Sequence, residues 1–524
     1  MTDTALHAER RAADLAALAA GEVVDLLVVG GGVTGAGVAL DAAARGLTVA
    51  LVEAEDLAFG TSRWSSKLVH GGLRYLTKGD VGLAHESAVE RGVLMTTTAP
   101  HLTRALPQLV PLHPAVSRRD AALTFTGLLA GDGLRRAART PSTLLPRPRR
   151  VSTAEALALA PGLRRAGLRG GLLSFDGQLV DDARLVVALA RTAAGFGARV
   201  ITRARVTGLT GTSAEIVDGL TGTAVEVRAR AVVNATGVWA GDLVPSVRLR
   251  PSRGSHLVLD AAAIGTGATA LTVPIAGSFG RFGLVLPQDD GRVYAGITDE
   301  PVDGPVPDVP TVPESDVDIL LEVVSAALEH PLTRADVLGA FAGLRPLVDS
   351  PGTASDSRSA DLSRHHAVLT APNGVITVVG GKLTTYRRMA ADAVDAATDA
   401  AGIPAGPTRT KAIALVGAAP RDALSFVDAP RRLVARYGTE ASTVHSLALL
   451  DPELGTPIAP GNPITAAEVV WAVRHEGALS AEDVLHRRTR IGLVTADAEA
   501  AEPAVTDLVA RTLRGLATLG SATP

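Results

Sequence analysis

VVGGGVTGAG, residues 28–37, is the stretch that decides the fold of this chain. It sets Gly30, Gly32 and Gly35 in a G-x-G-x-x-G pattern with Thr34 inside the turn. Before it, VDLLVVG (24–30) reads as a buried strand; after it come a helical stretch ending near Gly46 and a second strand, LTVALVE (47–53). Only glycine lets the backbone turn this tightly, approach a pyrophosphate and pack a helix on its own strand. The helix N-terminus then offers free N–H groups and a positive dipole end to phosphate. Glu53 closes the second strand eighteen residues after Gly35, where a carboxylate accepts hydrogen bonds from ribose hydroxyls. Alone, the triplet would equally suit a packing turn in a chain with 54 glycines. Strand, helix and terminal acid in register make it a dinucleotide site.

An acid at position 53 disfavours NADP and leaves NAD and FAD. Two later apolar runs, in VVNATGVWAGD (232–242) and VVGGKLTTY (378–386), also end at glycine turns. A nicotinamide domain is usually completed in one contiguous segment, whereas a flavin domain built from distant pieces accounts for this layout. Between the pieces, 113–150 is basic and Pro-punctuated, 251–300 reads as short β segments, and 301–317 as an exposed Pro- and Asp-rich loop. A short amphipathic helix is expected over 5–20, and a mostly helical region after Gly406.

The bulk composition removes other classes. No cysteine means no disulfide, no Cys-ligated zinc, no iron–sulfur cluster and no thiol nucleophile. A formal charge of −3 gives no general nucleic-acid footprint. The N-terminus lacks the basic-then-apolar order of a signal peptide, and 23–44 is interrupted by Asp25, Asp41 and glycines. A cytoplasmic protein is expected, with peripheral attachment to the inner face of the cell membrane left open. Length alone suggests about three domains.

TSRWSSKLVHGGLRYL (61–76), NATGVW (234–239), RGSH (253–256), AGLRPL (342–347), SRHH (363–366) and GGKLTTYR (380–387) occur in that order. Together they resemble the FAD-dependent (aerobic-type) glycerol-3-phosphate dehydrogenases, and 467–492 resembles that family's helical cap. The resemblance runs from about residue 22 to 515. It implies an α/β (mixed α+β) chain: a glutathione-reductase-type FAD-binding Rossmann domain, an interleaved β-rich substrate domain and a C-terminal helical domain. The expected boundaries are 22–112, 176–250 and 341–402 for the FAD domain. The substrate and cap segment is expected at 113–175, the substrate β region at 251–340 and the helical domain at 406–524. The implied reaction is oxidation of sn-glycerol 3-phosphate to dihydroxyacetone phosphate, with electrons passed to a quinone or, in the minority outcome, to oxygen. Arg63-Trp64, where smaller polar residues are common, and the very basic 113–150 depart from the family pattern.

That chemistry calls for two or three fixed cations around a phosphate dianion, Arg as a planar fork and Lys as a compact point charge. Arg74, Arg345, Arg364 and Lys382 lie in matched motifs and are the candidates. Arg387 and Arg388 continue a helix and are expected to be exposed. The chain has only four lysines, Lys67, Lys78, Lys382 and Lys411. Lys382, at a strand-to-helix break, is expected beside the flavin pyrimidine and the substrate, with Thr384 as N-cap and Gly402 ending the helix. His256 and His70 are alternative bases for the C2 hydroxyl proton. Tyr75 is a candidate substrate contact or a core residue. Thr61, Ser62, Ser65, Ser66, Lys67, Leu68, His70 and Gly71 are expected around the pyrophosphate and flavin ring. Val206, Ala235, Thr236, Gly237, Gly381, Leu383 and Thr384 complete the expected cofactor set; no metal is expected. An amine or amino-acid oxidase on the same fold is the second enzyme class, requiring an aromatic cage that a chain with 3% aromatics is poor in. A flavin-binding assembly or sensor protein is the third, and it would not need converging cations. A homodimer is left open.

Overall fold

A computed structural model describes residues 3–76, 79–275, 281–349 and 365–521. The glycine turn lies where its spacing predicts. The strand Val23–Val29 runs into it and the helix Val33–Ala44 leaves it, with Gly30 at φ +110° and Gly32 as N-cap. Val49–Val52 follows as a parallel neighbour, so the unit is a right-twisting βαβ start to a sheet.

That sheet is assembled from distant pieces. Its strands are His366–Thr370, Ile376–Gly380, Ala224–Asn234, Val23–Val29, Val49–Val52 and Arg199–Ile201, in spatial order. The four inner neighbours are parallel, His366–Thr370 is antiparallel, and a hairpin of Ala204–Leu209 and Ser213–Asp218 leans on Ala224–Asn234. Strands buried on both faces must be apolar throughout, which is why Val23–Val29 and Val49–Val52 read as continuous Val/Leu runs. Helices Val33–Ala44, Asp182–Gly195 and Tyr386–Ala401 cover one face through Ala- and Val-rich surfaces. The expected amphipathic helix is Ala8–Ala19, on the other face.

A second, mixed sheet of ten strands forms the other layer. Its strands Leu249–Asp260 and Val337–Val348 pair along almost their whole length. Three expected boundaries are corrected by it. Leu68–Val69 and Thr103–Pro111, placed by sequence in the FAD domain, pair with Gly171–Leu179 in this sheet. The strands Gly171–Leu179 and Val337–Val348 also run through the boundaries drawn at 175 and 340. Short apolar runs show that a strand forms, not which sheet receives it. Beyond residue 406 the described chain is helical, ending in Thr495–Ser521.

Candidate active site

The glycine turn is a backbone cradle with little space for side chains. A Cβ on Gly30 would meet Ala235 O at 2.7 Å, and one on Gly35 would meet Gly30 O at 1.8 Å. Ala235 and Thr236 thus face the turn from the end of Ala224–Asn234, with Gly237 at φ +62° continuing the loop. Asn234 holds that loop by accepting from Thr236 N–H and Oγ1–H. At the helix N-terminus, Ser62 Oγ accepts from Val33 N–H at 2.9 Å, while Thr34 is half-buried beside it. Glu53 accepts from Gly31 N–H at 2.6 Å and from Glu55 N–H at 2.8 Å. Burial raises its carboxyl against those two bonds. Val206 lies in the hairpin strand that follows Ala204, whose N–H binds Glu53 O. Gly32 is half-buried at the helix mouth, and a Cβ there would reach only Ser62 Oγ, at 3.1 Å.

The segment 61–76 crosses from this turn to the second sheet. Thr61 Oγ1 donates to Leu344 O, Leu68 pairs with Gln178, and Gly71 N–H donates to the Asp176 carboxylate. Ser65 donates from N–H and Oγ to Asp182 Oδ2. Lys67 is corrected: its Nζ, 1% exposed, donates to Asp182 Oδ2 at 2.7 Å and to the carbonyls of Arg63 and Ser65 at 2.8 Å. It holds the loop rather than reaching for a pyrophosphate. Ser66 Oγ and His256 Nε2 are 2.9 Å apart.

His256 is fully buried, stacked on Phe341 with 4.7 Å between ring centroids and 8° between planes. Burial, then the Lys67 and Arg345 cations, pull its pKa to about 3, so it is a neutral imidazole at pH 7. Ser252 pairs with Arg345 and His256 with Phe341 across two antiparallel strands. Residues 252, 254 and 256 share one face of their strand, as do 341, 343 and 345 of theirs. Gly254, between Ser252 and His256, has no side chain, and the Arg345 guanidinium occupies the space its Cβ would take. Arg345 is steered by Ser252 Oγ and Asp299 Oδ1, each at 3.2 Å, and by Thr298 O at 3.0 Å.

Lys382 comes from the third piece of the cofactor sheet. Gly380 and Gly381 take left-handed φ values of +77° and +69°, and Lys382 then caps the turn Leu383–Thr385. Its Nζ lies 2.8 Å from Ser87 Oγ and 3.5 Å from the centre of the Tyr75 ring. Tyr75 is 7% exposed and 6.5 Å from the half-buried His70 ring. Thr384 is buried and does not cap: the long helix Tyr386–Ala401 starts after Thr385 and ends, as expected, at left-handed Gly402. Leu383 packs on the main core. Arg388 is exposed, but Arg387 is corrected to a buried ion pair with Glu90. Arg364 and the Arg74 side chain lie outside the described residues.

Residues 25–387 match the family described as FAD dependent oxidoreductase, and 408–515 match the C-terminal domain of alpha-glycerophosphate oxidase. Glycerol-3-phosphate dehydrogenase 1 of Mycobacterium tuberculosis is 53% identical over 498 residues, spanning 94% of this chain and 96% of that protein. The mitochondrial glycerol-3-phosphate dehydrogenase SDP6 of Arabidopsis thaliana is 36% identical over 93% of this chain and 82% of its own length. The chain belongs to the FAD-dependent glycerol-3-phosphate dehydrogenase family. Its fold also matches the solved glycerol-3-phosphate dehydrogenase of Bacillus halodurans complexed with FAD, with a TM-score of 0.73 at 26% identity over 98% of this chain and 97% of that one.

The residues present fit FAD. The side-chain-free turn, the helix N-terminus behind it and the half-buried Glu53 suit an adenosine pyrophosphate, and the distant strands deliver Thr236, Gly237, Gly381 and Lys382 to the same edge. Several residues that hold the candidate site together gave no usable sequence signal. Asp299 steers Arg345; Asp182, Ser87 and Phe341 hold Lys67, Lys382 and His256.

Proposed function

We propose that the protein oxidises sn-glycerol 3-phosphate to dihydroxyacetone phosphate and passes the electrons to a quinone at a membrane surface. Bound FAD supplies the two-electron acceptor for hydride from C2 of the substrate. The observation that carries the proposal is the pairing of strands Leu249–Asp260 and Val337–Val348. It sets a phosphate-seeking guanidinium, Arg345, and a neutral imidazole, His256, on one face of the substrate sheet.

Arg345 meets the phosphate as a planar fork, and Asp299 fixes its orientation beforehand. Lys382 adds a point charge whose ammonium is anchored by Ser87 and the Tyr75 face. His256 takes up the hydroxyl proton as C2 loses hydride by a relay: Ser66 Oγ accepts the substrate proton and passes its own to Nε2, 2.9 Å away. His70 remains the alternative base, on the half-buried side of Tyr75. Amino-acid oxidation is disfavoured: among the described residues, the rings beside His256 and Lys382, Phe341 and Tyr75, are taken up by stacking on the imidazole and by the ammonium.

Attachment to the membrane is proposed through the helix Arg118–Ala137, which exposes Leu123 and Leu129 together with Arg118, Arg119 and Arg136. Among the described residues no helix is long and apolar enough to cross a membrane. The decisive experiment is anaerobic titration of the yellow protein with sn-glycerol 3-phosphate. The 450 nm band bleaches, and a quinone analogue restores it faster than oxygen does. Bleaching by glycerol or by amino acids instead would overturn the substrate; rapid peroxide formation would assign oxygen as acceptor.

A further inference from the structure

We infer that Arg490, carried by the C-terminal helical domain, is a positioning residue for His256. The inference rests on His256 acting as the base. Arg490 sits at φ +68°, 8% exposed, on the turn before Ile491–Leu493. Its guanidinium pairs with Asp182 Oδ1 and stands 3.4 Å from Asp181 Oδ1. The opposite oxygen, Asp182 Oδ2, accepts from Ser65 N–H at 3.0 Å, from Ser65 Oγ at 2.7 Å and from Lys67 Nζ at 2.7 Å. One buried carboxylate therefore ties the C-terminal domain to both residues flanking Ser66, whose hydroxyl meets His256 Nε2.

Lys67 is also left-handed, at φ +57°. Two non-glycine residues in that region, one on each side of Asp182, mark a geometry that its surroundings over-determine. Burial, then Arg490, pull the Lys67 amine to about 7, and Asp182 opposes them. Its three acceptors use all three N–H groups of an ammonium, so the charged form is the one built into the loop.

A second path reaches the same imidazole from the apolar side. Leu493 and Val494, directly after the Arg490 turn, pack in one cluster with Phe341, Tyr294 and Val258. Phe341 is the ring on which His256 stacks. The turn 490–494 thus supports His256 through a polar chain on one side and through ring packing on the other. The catalytic histidine comes from one domain, its orientation from another.

The test is a double-mutant cycle in the FAD-loaded full chain, with kcat, KM and flavin content measured for Arg490→Gln, Ser66→Ala and the pair. Arg490→Gln is expected to lower kcat about tenfold or more with KM within about threefold of the parent, and to add nothing on top of Ser66→Ala. Arg490→Lys, which keeps the charge, should recover most of the loss. Losses that simply multiply in the double variant would overturn the inference. If Arg490→Gln yields no folded protein, Arg490→Met, which keeps the side chain's length without the charge, runs the same cycle against Ser66→Ala, and multiplying losses there overturn it equally. His256→Asn is measured alongside. Full turnover in that variant overturns the base assignment and this inference together, whereas its inactivity with multiplying losses in the cycle sinks the inference alone.

Discussion

A Cβ on residue 254 would stand 2.4 Å from Nη2 of Arg345, so Gly254 is the space in which that guanidinium lies. The atom it would displace is the far end of a flexible side chain, so Gly254→Ala should fold and load FAD normally. It should raise KM for sn-glycerol 3-phosphate and lower kcat/KM by about 1–2 kcal/mol, less than the roughly 2–4 kcal/mol expected for Arg345→Ala. Equal kinetics in Gly254→Ala and the parent would remove Arg345 from phosphate binding.

The cradle glycines separate cofactor binding from folding. Gly32 faces open space apart from Ser62 Oγ, so Gly32→Val should give a folded but colourless protein. Gly35→Ala would drive its methyl into Gly30 O and should destabilise the fold itself. Flavin fluorescence after acid release, read beside circular dichroism, distinguishes the two.

Lys382→Met should bind FAD yet lose kcat/KM for the phosphate ester, by about 2–4 kcal/mol if the charge acts on the reacting centre. Tyr75→Phe keeps the ring under the ammonium and should cost little, while Tyr75→Leu should cost about 0.5–2 kcal/mol more. Steady-state kinetics with saturating acceptor measure both.

Asp56 gives the clearest pH dependence. Burial alone would raise its carboxyl, but Arg488 and Arg487 overcome that and hold it at about 2. The folded value lies below the ordinary 3.8, so the contribution is complete above pH 4 and is lost as pH falls through about 2. Thermal melts between pH 7 and 3 should show midpoints falling only at the acid end. Asp56→Asn, which leaves two buried guanidinium groups short of a carboxylate, should cost about 3–5 kcal/mol at neutral pH.

For membrane contact, Arg118, Arg119 and Arg136 are exposed, but Arg135 is buried against Asp132 and has to be left intact. Changing the three exposed arginines to Glu should abolish co-sedimentation with anionic vesicles at low salt and leave dye-linked turnover unchanged. Parent protein that ignores such vesicles at every salt concentration would remove this helix from the membrane.

The cofactor turn was legible because its evidence is local: three glycines, a strand, a helix and Glu53 within thirty residues. The flavin assignment was legible from strands ending at Gly237 and Gly380. Lys67 was misplaced because its partner, Asp182, is 115 positions away, and no spacing announces such a pair. Arg387 was expected at the surface for the same reason; Glu90, 297 positions away, buries it. His256 and Arg345 could be named from motifs, yet their shared face depends on strand register, which residue pattern alone does not fix.

The cofactor sheet joins Ala224–Asn234 to Ile376–Gly380 across some 140 intervening residues, so these two neighbouring strands are made far apart in time. A ribosome adds on the order of 5–20 residues per second, which separates them by roughly seven to thirty seconds. Until Ile376–Gly380 emerges, Ala224–Asn234 has an unpaired apolar edge, the kind of surface on which nascent chains aggregate. Flavin capture therefore belongs to the end of synthesis, and expression yield should respond to chaperone supply and riboflavin together rather than to either alone.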